Sequence, residues 1–240
     1  EVIDYLTIAG KASDALPLAR RLVKTAPTPE NRRRLIRLLA ATDHIKEAQS
    51  KLAALKKQTP DSIHIAILDA EMALREGEYR SALRAANRAV SLDPEHAGAH
   101  VARARVRRQS PAENDTRRHA IQEDLVRAIE LDSGNWQARE LLWQIYEEQG
   151  AIEQALTTLD GLIQLRPHHP MYREAYGRLC LRHGRHALLE ERLNRWRSRL
   201  ADTALWHWLQ GKLCMAKNEP AKAVDEFSSV LNRRPLRPDY

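Results

Sequence analysis

The sequence predicts an all-α chain of stacked helix-turn-helix hairpins, a solenoid, on three observations. Just over half of the 240 residues are Ala, Leu, Glu, Lys or Arg, the composition of long or repeated helices when a helical period accompanies it. With one Phe, 9 Gly and 11 Pro, too few sheet and tight-turn residues remain for an all-β domain. Residue types also recur about every 34 positions along the whole chain, and a period of that length marks a repeat architecture.

Proline sets the beat: Pro27, Pro60 and Pro94 lie 33 and 34 residues apart, Pro167 follows after 73 and Pro235 after a further 68. Three other columns keep it. Ala48, Ala82, Ala155 and Ala223 are spaced 34, 73 and 68. Asp43, Gly77, Gly150, Gly184 and Asn218 are spaced 34, 73, 34 and 34. Ile36, Ala70, Ala104, Trp143, Gly177 and Gly211 are spaced 34, 34, 39, 34 and 34. The whole chain, 1–240, reads as a single array: a partial unit 1–27, then units of about 28–62, 63–96, 97–135, 136–169, 170–203 and 204–237.

Each unit reads as two helices. In 63–94 the first runs about Ile63–Arg75, stops at Glu76-Gly77-Glu78, and the second runs about Tyr79–Leu92. Gly77 supplies the left-handed conformation that ends one helix, and Asp93-Pro94 ends the other. Small residues such as Ala70 and Ala82 let the paired backbones approach. A lone hairpin cannot bury its apolar face, so each must stack on its neighbours. The unit 97–135 is five residues too long, and the excess at 110–116 reads as a loop between its helices, either a tolerated insertion or a contact loop. Glu1 to Leu6 begins partway through a first helix, so the expectation is a piece of a longer array with flanking repeats.

These columns resemble the tetratricopeptide repeat family, whose signature is a large residue, Leu-Gly, Tyr, then Ala with an aromatic four later, then Pro. Arg139-x-x-Leu142-Trp143-x-x-Tyr146, Ala223-x-x-x-Phe227, Tyr176-Gly177-x-x-Cys180 and Gln210-Gly211-x-x-Cys214 match parts of it. Asp69, Arg103 and Gln210 stand where the family usually has leucine, and Ser133 and Ala201 replace the proline. The resemblance covers residues 1–237 and implies a right-handed superhelix that binds other proteins in a groove lined by the first helices.

Composition excludes several classes. A hydrophobic share of 43% with 30% charged residues supplies enough apolar surface for a core, against disorder. No apolar stretch approaches the ~20 residues of a bilayer span. Two cysteines form no disulfide scaffold and no CxxC zinc pattern; Cys180 and Cys214, one period apart, read as buried free thiols, with a disulfide disfavoured by distance. No P-loop, dinucleotide fingerprint, HExxH or GxSxG is present, and His168, His169, His183 and His186 fall in turns. The reading is therefore no catalytic residue, cofactor, metal or small-molecule substrate. Net charge is +7, and arginine outnumbers lysine by more than three to one, which suits bidentate contacts with carboxylates or phosphates and fits a GC-rich bacterial genome.

The groove stripe implied by the resemblance lies away from the small-residue column. It is basic near the start and middle, at Arg33, Arg37, Arg105 and Arg108, with Ile67, Glu71, Leu74, Arg75 and Val101 between them. It turns acidic at Glu140, Glu147 and Glu148. Its end is mixed, at Met171, Arg178, Leu181 and Arg182 and then Leu205, Trp208, Lys212 and Met215. Apolar anchors edged by cations suit an amphipathic partner helix with acidic flanks; the plain alternatives are a solvated face for the charges and repeat-to-repeat packing for the apolar residues. Arg33 and Arg37 occupy positions where some relatives clamp a C-terminal carboxylate, yet no groove asparagine follows. The sequence thus points to a non-catalytic scaffold for protein partners in a larger assembly. A bacterial envelope or exopolysaccharide-export complex is the working setting, with the periplasm as compartment and the cytoplasm as alternative. Nucleic-acid binding through the arginines is a rival reading, and so is glycan contact by Trp208 with Glu140, Glu147 and Glu148.

Overall fold

The computed structural model of the chain describes residues 2–8, 10–109, 115–200 and 203–233. They form fourteen helices, and no strand occurs among the described residues. The chain divides into two compact units, Glu1–Ala138 and Arg139–Tyr240. The first holds α1 (Val2–Ile8), α2 (Ala12–Thr25), α3 (Pro29–Ala41), α4 (Ile45–Gln58), α5 (Ile63–Arg75), α6 (Tyr79–Leu92), α7 (Ala97–Arg108) and α8 (Asp115–Leu131). The second holds most of α9 (Trp136–Glu148), then α10 (Ile152–Leu165), α11 (Pro170–Arg182), α12 (His186–Leu200), α13 (Ala204–Ala216) and α14 (Pro220–Arg233).

One local device makes the hairpins. Gly10, Asp43, Gly77, Gly150, Gly184 and Asn218 all take positive φ, between 60° and 75°. In each, the N–H of the next residue reaches the carbonyl five positions before it: Lys11 to Leu6, His44 to Leu39, Glu78 to Ala73, Ala151 to Tyr146, Arg185 to Cys180 and Glu219 to Cys214, all at 2.8–2.9 Å. This 6→1 bond caps the last turn of the first helix and turns the chain back. At the far end of α2, α4, α6 and α10 the last helical residue lies two positions before Pro27, Pro60, Pro94 or Pro167, as the restriction on residues preceding proline favours.

The α7–α8 hairpin departs from the expected loop. Asp115 and Thr116 belong to α8, which runs 17 residues against 14 for α4, α6 and α10. Asp115 suits the positive end of the helix and holds Arg118 at 3.2 Å one turn on, so part of the insertion is spent on an added turn. The rest of that loop, 110–114, lies outside the described residues, as do Ala201 and Pro235.

The small-residue columns are core. Ala48, Ala82, Ala155 and Ala223 are fully buried, as are Ile36, Ala70 and Ala104. Gly177 of α11 faces the Leu209 side chain of α13 so closely that a Cβ there would overlap it. Polar residues in apolar columns are matched by partners. Asp69 receives Lys56 Nζ at 2.7 Å. Arg103 donates through Nε to both oxygens of Asp124 at 3.0 and 3.1 Å. Asp124 is 2% exposed and also takes Arg107 Nη1 at 2.6 Å and faces His100 Nδ1 at 3.3 Å.

Substitutions test the buried network and the turn separately. Asp124→Ala strands two guanidiniums in a part-buried site, and breaking a buried pair from one side costs about 3–5 kcal/mol; urea denaturation of the variant measures it. A Cβ at Gly77 would meet no atom within 4 Å, so Gly77→Ala isolates the backbone cost of the left-handed region, about 1–2 kcal/mol. Asp43→Gly is expected to shift stability the opposite way, and a Gly77→Ala variant as stable as the parent would refute the turn account.

Candidate protein-binding surface

In the first unit, α3, α5 and α7 turn a charged stripe away from the core. Arg33 pairs with Glu30 one turn earlier. Arg37 Nε donates to Glu71 of α5 at 2.9 Å, tying two first helices together across the stripe. Burial first, then Arg33 and His96, hold the His64 imidazole below its ordinary range, so it adds no charge to this face near neutrality. Arg105 is half-buried and has no ion pair among the described residues, and Arg108 sits half-buried in the last turn of α7. Ile67 and Val101, expected on the stripe, are instead 6% and 5% exposed. Ile67 packs into a cluster with Ala66, Ala89, Ala99 and Ala102, because each first helix buries flanks against both its neighbours and leaves only a narrow outer strip.

In the second unit, α11 and α13 pack side by side. Buried on α11 are Tyr172, Tyr176, Leu179 and Cys180; Met171, Arg178 and Arg182 are not, and Leu181 is half-buried. Arg182 Nη1 reaches Glu147 Oε1 of α9 at 2.7 Å, and Glu140 accepts from the Tyr172 hydroxyl at 3.2 Å. On α13, Trp206, Leu209 and Leu213 face inward, whereas Leu205, Trp208, Lys212 and Met215 form the opposite stripe. Trp208 is half-buried, with Lys212 Nζ 5.8 Å from its ring centroid, within cation–π range. Met171 and Met215 are 51% and 56% exposed. Met171 stands in the first turn of α11 and Met215 in the last turn of α13, with Trp208 midway along α13, and Arg178 of α11 has no ion pair among the described residues.

A family model described as the tetratricopeptide repeat matches residues 70–112 and 144–188. Those two stretches resemble tetratricopeptide repeats, and the described residues have the fold of a tetratricopeptide repeat solenoid. Solved structures of the same fold include a thermophilic tetratricopeptide repeat protein of Thermus thermophilus, 21% identical over 75% of this chain and 96% of that one, TM-score 0.63. YrrB, a tetratricopeptide repeat protein with an unusual peptide-binding site, is 15% identical over 79% and 93%, TM-score 0.57. The human IFIT1 dimer with m7Gppp-AAAA is 15% identical over 91% and 58%, TM-score 0.60. At these identities the likeness is one of fold. No curated protein matches the chain. Tetratricopeptide repeats are interaction scaffolds and are generally non-catalytic.

Cys180 and Cys214 are free; Cys180 is buried as expected, whereas Cys214, on α13 in the last described hairpin, is only half-buried. Burial pushes the Cys180 thiol up to about 12, which withholds the nucleophilic thiolate at neutral pH. His169 stacks on Tyr172 at 4.6 Å, and no three His, Cys, Asp or Glu gather in metal-binding geometry among the described residues. No described helix is long and apolar enough to cross a membrane. Two clusters had no sequence signal, because each joins residues of different helices. The nearly buried Arg173 donates to the Pro167 carbonyl and sits over the Trp196 ring. Arg192 of α12 joins Tyr176 of α11 to Asp160 of α10.

Asp160 makes stability depend on pH. Burial raises its pKa above 3.8 despite the opposing pull of Arg192. A carboxyl raised on folding stabilises most below its unfolded pKa, and that contribution is lost as pH rises through the folded value. Arg192→Ala removes the compensating cation. At neutral pH it is expected to cost about 2–4 kcal/mol, with the deficit shrinking as pH falls through the Asp160 transition. Thermal melts of both proteins between pH 3 and 7 test this, and a pH-independent deficit would contradict it.

Proposed function

We infer that the chain is a non-catalytic scaffold that holds another protein, as a peptide or helix, against the outer stripe of its first helices within a larger multiprotein assembly. The observation that supports this reading is the α11–α13 surface, where Met171 and Met215 are exposed, the half-buried Trp208 carries Lys212 over its ring, and Arg178 has no ion pair among the described residues. Large apolar side chains ringed by polar groups are typical of interface anchors. The basic residues Arg33, Arg37, Arg105 and Arg108 extend the proposed contact in the first unit. The setting we propose is a bacterial envelope complex of the exopolysaccharide-export kind, which rests on the arginine bias and on resemblance alone.

Nucleic-acid binding is the second reading, favoured by the m7Gppp-AAAA that accompanies the similarly folded IFIT1. Against it, many arginines are already neutralised: Arg20 by Glu47, Arg34 by Asp4, Arg37 by Glu71, and Arg103 and Arg107 by Asp124. A glycan surface is disfavoured likewise, since Glu140 and Glu147 are engaged by Tyr172 and Arg182.

The deciding comparison is partner capture by Trp208→Ala against Arg33→Ala, each with helicity verified. Truncating an anchoring tryptophan is expected to cost ~2 kcal/mol, about thirtyfold in affinity, while reversing Arg178 and Lys212 mainly slows association. Normal capture by a folded Trp208→Ala moves the contact to the basic beginning of the array. Single-stranded RNA is expected to bind weakly at physiological salt. An affinity that falls ~10³-fold between 50 and 200 mM salt and is abolished by Arg105→Glu with Arg108→Glu would reverse the ranking.

A further inference from the structure

Two further columns keep the 34-residue beat. Arg32, Ala66, His100, Arg173 and His207, on first helices, are spaced 34, 34, 73 and 34. Lys51, Ala85, Asp124, Arg192 and Glu226, on second helices, are spaced 34, 39, 68 and 34. In the unit 97–135 the columns meet as His100 and Asp124, Nδ1 to Oδ1 at 3.3 Å, and in 204–237 as His207 and Glu226, Nδ1 to Oε2 at 2.6 Å. The unit 63–96 has buried alanines at both positions. In 170–203 both are cations, and each has an internal acceptor, the Pro167 carbonyl for Arg173 and Asp160 for Arg192.

In the unit 28–62 the pair is the half-buried Arg32 and the exposed Lys51, and both line a recess of about 180 Å³ between α2, α3 and α4. Arg32 has no ion pair among the described residues and donates through Nη1 to the amide oxygen of Gln58 at 3.1 Å. Lys51 reaches Glu47 at a long 3.6 Å; Glu47 is held by Arg20 at 2.6 Å and does not line the recess. None of the lining residues is acidic. The walls are apolar: Val23 of α2, the buried Leu35 and Ile36 of α3, and Ala54 and the buried Leu55 of α4. The volume is below the ~300–1,000 Å³ of sites for drug-sized ligands and close to the ~150 Å³ of an apolar cavity that takes up benzene. It admits one ring or a short alkyl chain.

We propose that this recess binds a small free monocarboxylate whose apolar body is no larger than one ring or a short alkyl chain. The body lies against Leu35, Ile36 and Leu55, and the carboxylate is taken by Arg32 and Lys51, where Asp124 and Glu226 stand in their own units. A guanidinium takes a carboxylate in bidentate fashion, and apolar walls penalise the heavier charge of a phosphate. Neither the stripe residues Arg33 and Arg37 nor Trp208 lines the recess, so the proposal stands or falls independently of the scaffold reading.

The test is an NMR titration of the full chain, labelled at its Ile, Leu and Val methyls, with phenylacetate as the probe. Phenylacetate is expected to shift the methyl signals of Leu35, Ile36 and Leu55. Phenylacetamide should bind about tenfold more weakly or worse, the range for loss of a charge-assisted hydrogen bond, and acetate should give no saturable shift. Arg32→Gln should weaken phenylacetate by a similar factor with unchanged circular dichroism. Lys51→Glu supplies from the chain the carboxylate that two other units have in this column. It should abolish phenylacetate binding yet melt no lower than the parent, a combination that misfolding cannot produce. Trp208→Ala should leave binding unchanged. Equal binding of phenylacetate and phenylacetamide, shifts that avoid these methyls, or indifference to Arg32→Gln overturns the proposal. So does a Lys51→Glu variant that still binds or melts below the parent. Tighter binding of phenylphosphate with the same dependence on Arg32 would assign the recess to phosphate and overturn the carboxylate reading. Tighter binding of a peptide ending in phenylalanine with a free carboxylate would assign it to a protein terminus and overturn the small-molecule reading.

Discussion

A helix that must end, reverse within three residues and lay its successor alongside needs one residue in the left-handed region, so that a following N–H can cap a carbonyl of the last turn. Gly10, Asp43, Gly77, Gly150, Gly184 and Asn218 meet that requirement with the same backbone bond each time. The same backbone bond sets the direction of the two helices of each such hairpin. The alanine columns then decide how near the helices come, and each stacked hairpin leaves outward only the strip of its first helix that neither neighbour covers. Surface chemistry in this protein is therefore rationed by the turn: a few positions per first helix, at spacings of three and four residues.

That rationing explains which features were legible in the sequence. A left-handed residue and a buried alanine are local demands met by particular residue types, so they recur in phase and reveal the helices; Ile63–Arg75 and Tyr79–Leu92 have the extents that their flanking turn residues imply. The outer strip was legible where large residues were isolated, as at Trp208 and Met215. It was misread at Ile67 and Val101, because a helical wheel gives the direction of a side chain but not the width of contact on either side. Asp115 and Thr116 were misread because loop-favouring residues also favour the first turn of a helix. The network of Arg103, Arg107 and His100 on Asp124 was not legible at all. Its members lie 17–24 residues apart, and only the α7–α8 packing brings them together.

Polar residues in the apolar columns have a second consequence. Asp69 and Arg103 replace leucines of the repeat signature, and each is matched by a charge from a second helix, Lys56 of α4 and Asp124 of α8. A buried ion pair adds little net stability over a well-packed apolar pair, but losing one partner is costly. A leucine contact tolerates exchange between similar repeats; a matched charge does not. The buried Asp124 network therefore makes the α7–α8 contact specific, whereas Lys56 and Asp69, whose side chains are 42% and 33% exposed, add little at the α4–α5 contact.

The same reasoning separates the two faces of the chain that remain open to a partner. Where an arginine of the first unit finds a carboxylate, as Arg34 and Arg37 do, its field is spent inside the array and it contributes little to recognition. Where it finds none among the described residues, as with the half-buried Arg105, the local potential remains available to steer an anionic partner. On α11 and α13 the corresponding surplus is apolar: Met171 of α11 and Met215 of α13 are exposed, and the half-buried Trp208 of α13 carries Lys212 over its ring. A partner carrying both acidic and apolar residues would satisfy either face, but by different terms. Recognition through the first unit would be salt-sensitive and selective for charge, whereas recognition through α11 and α13 would be governed by shape and buried area.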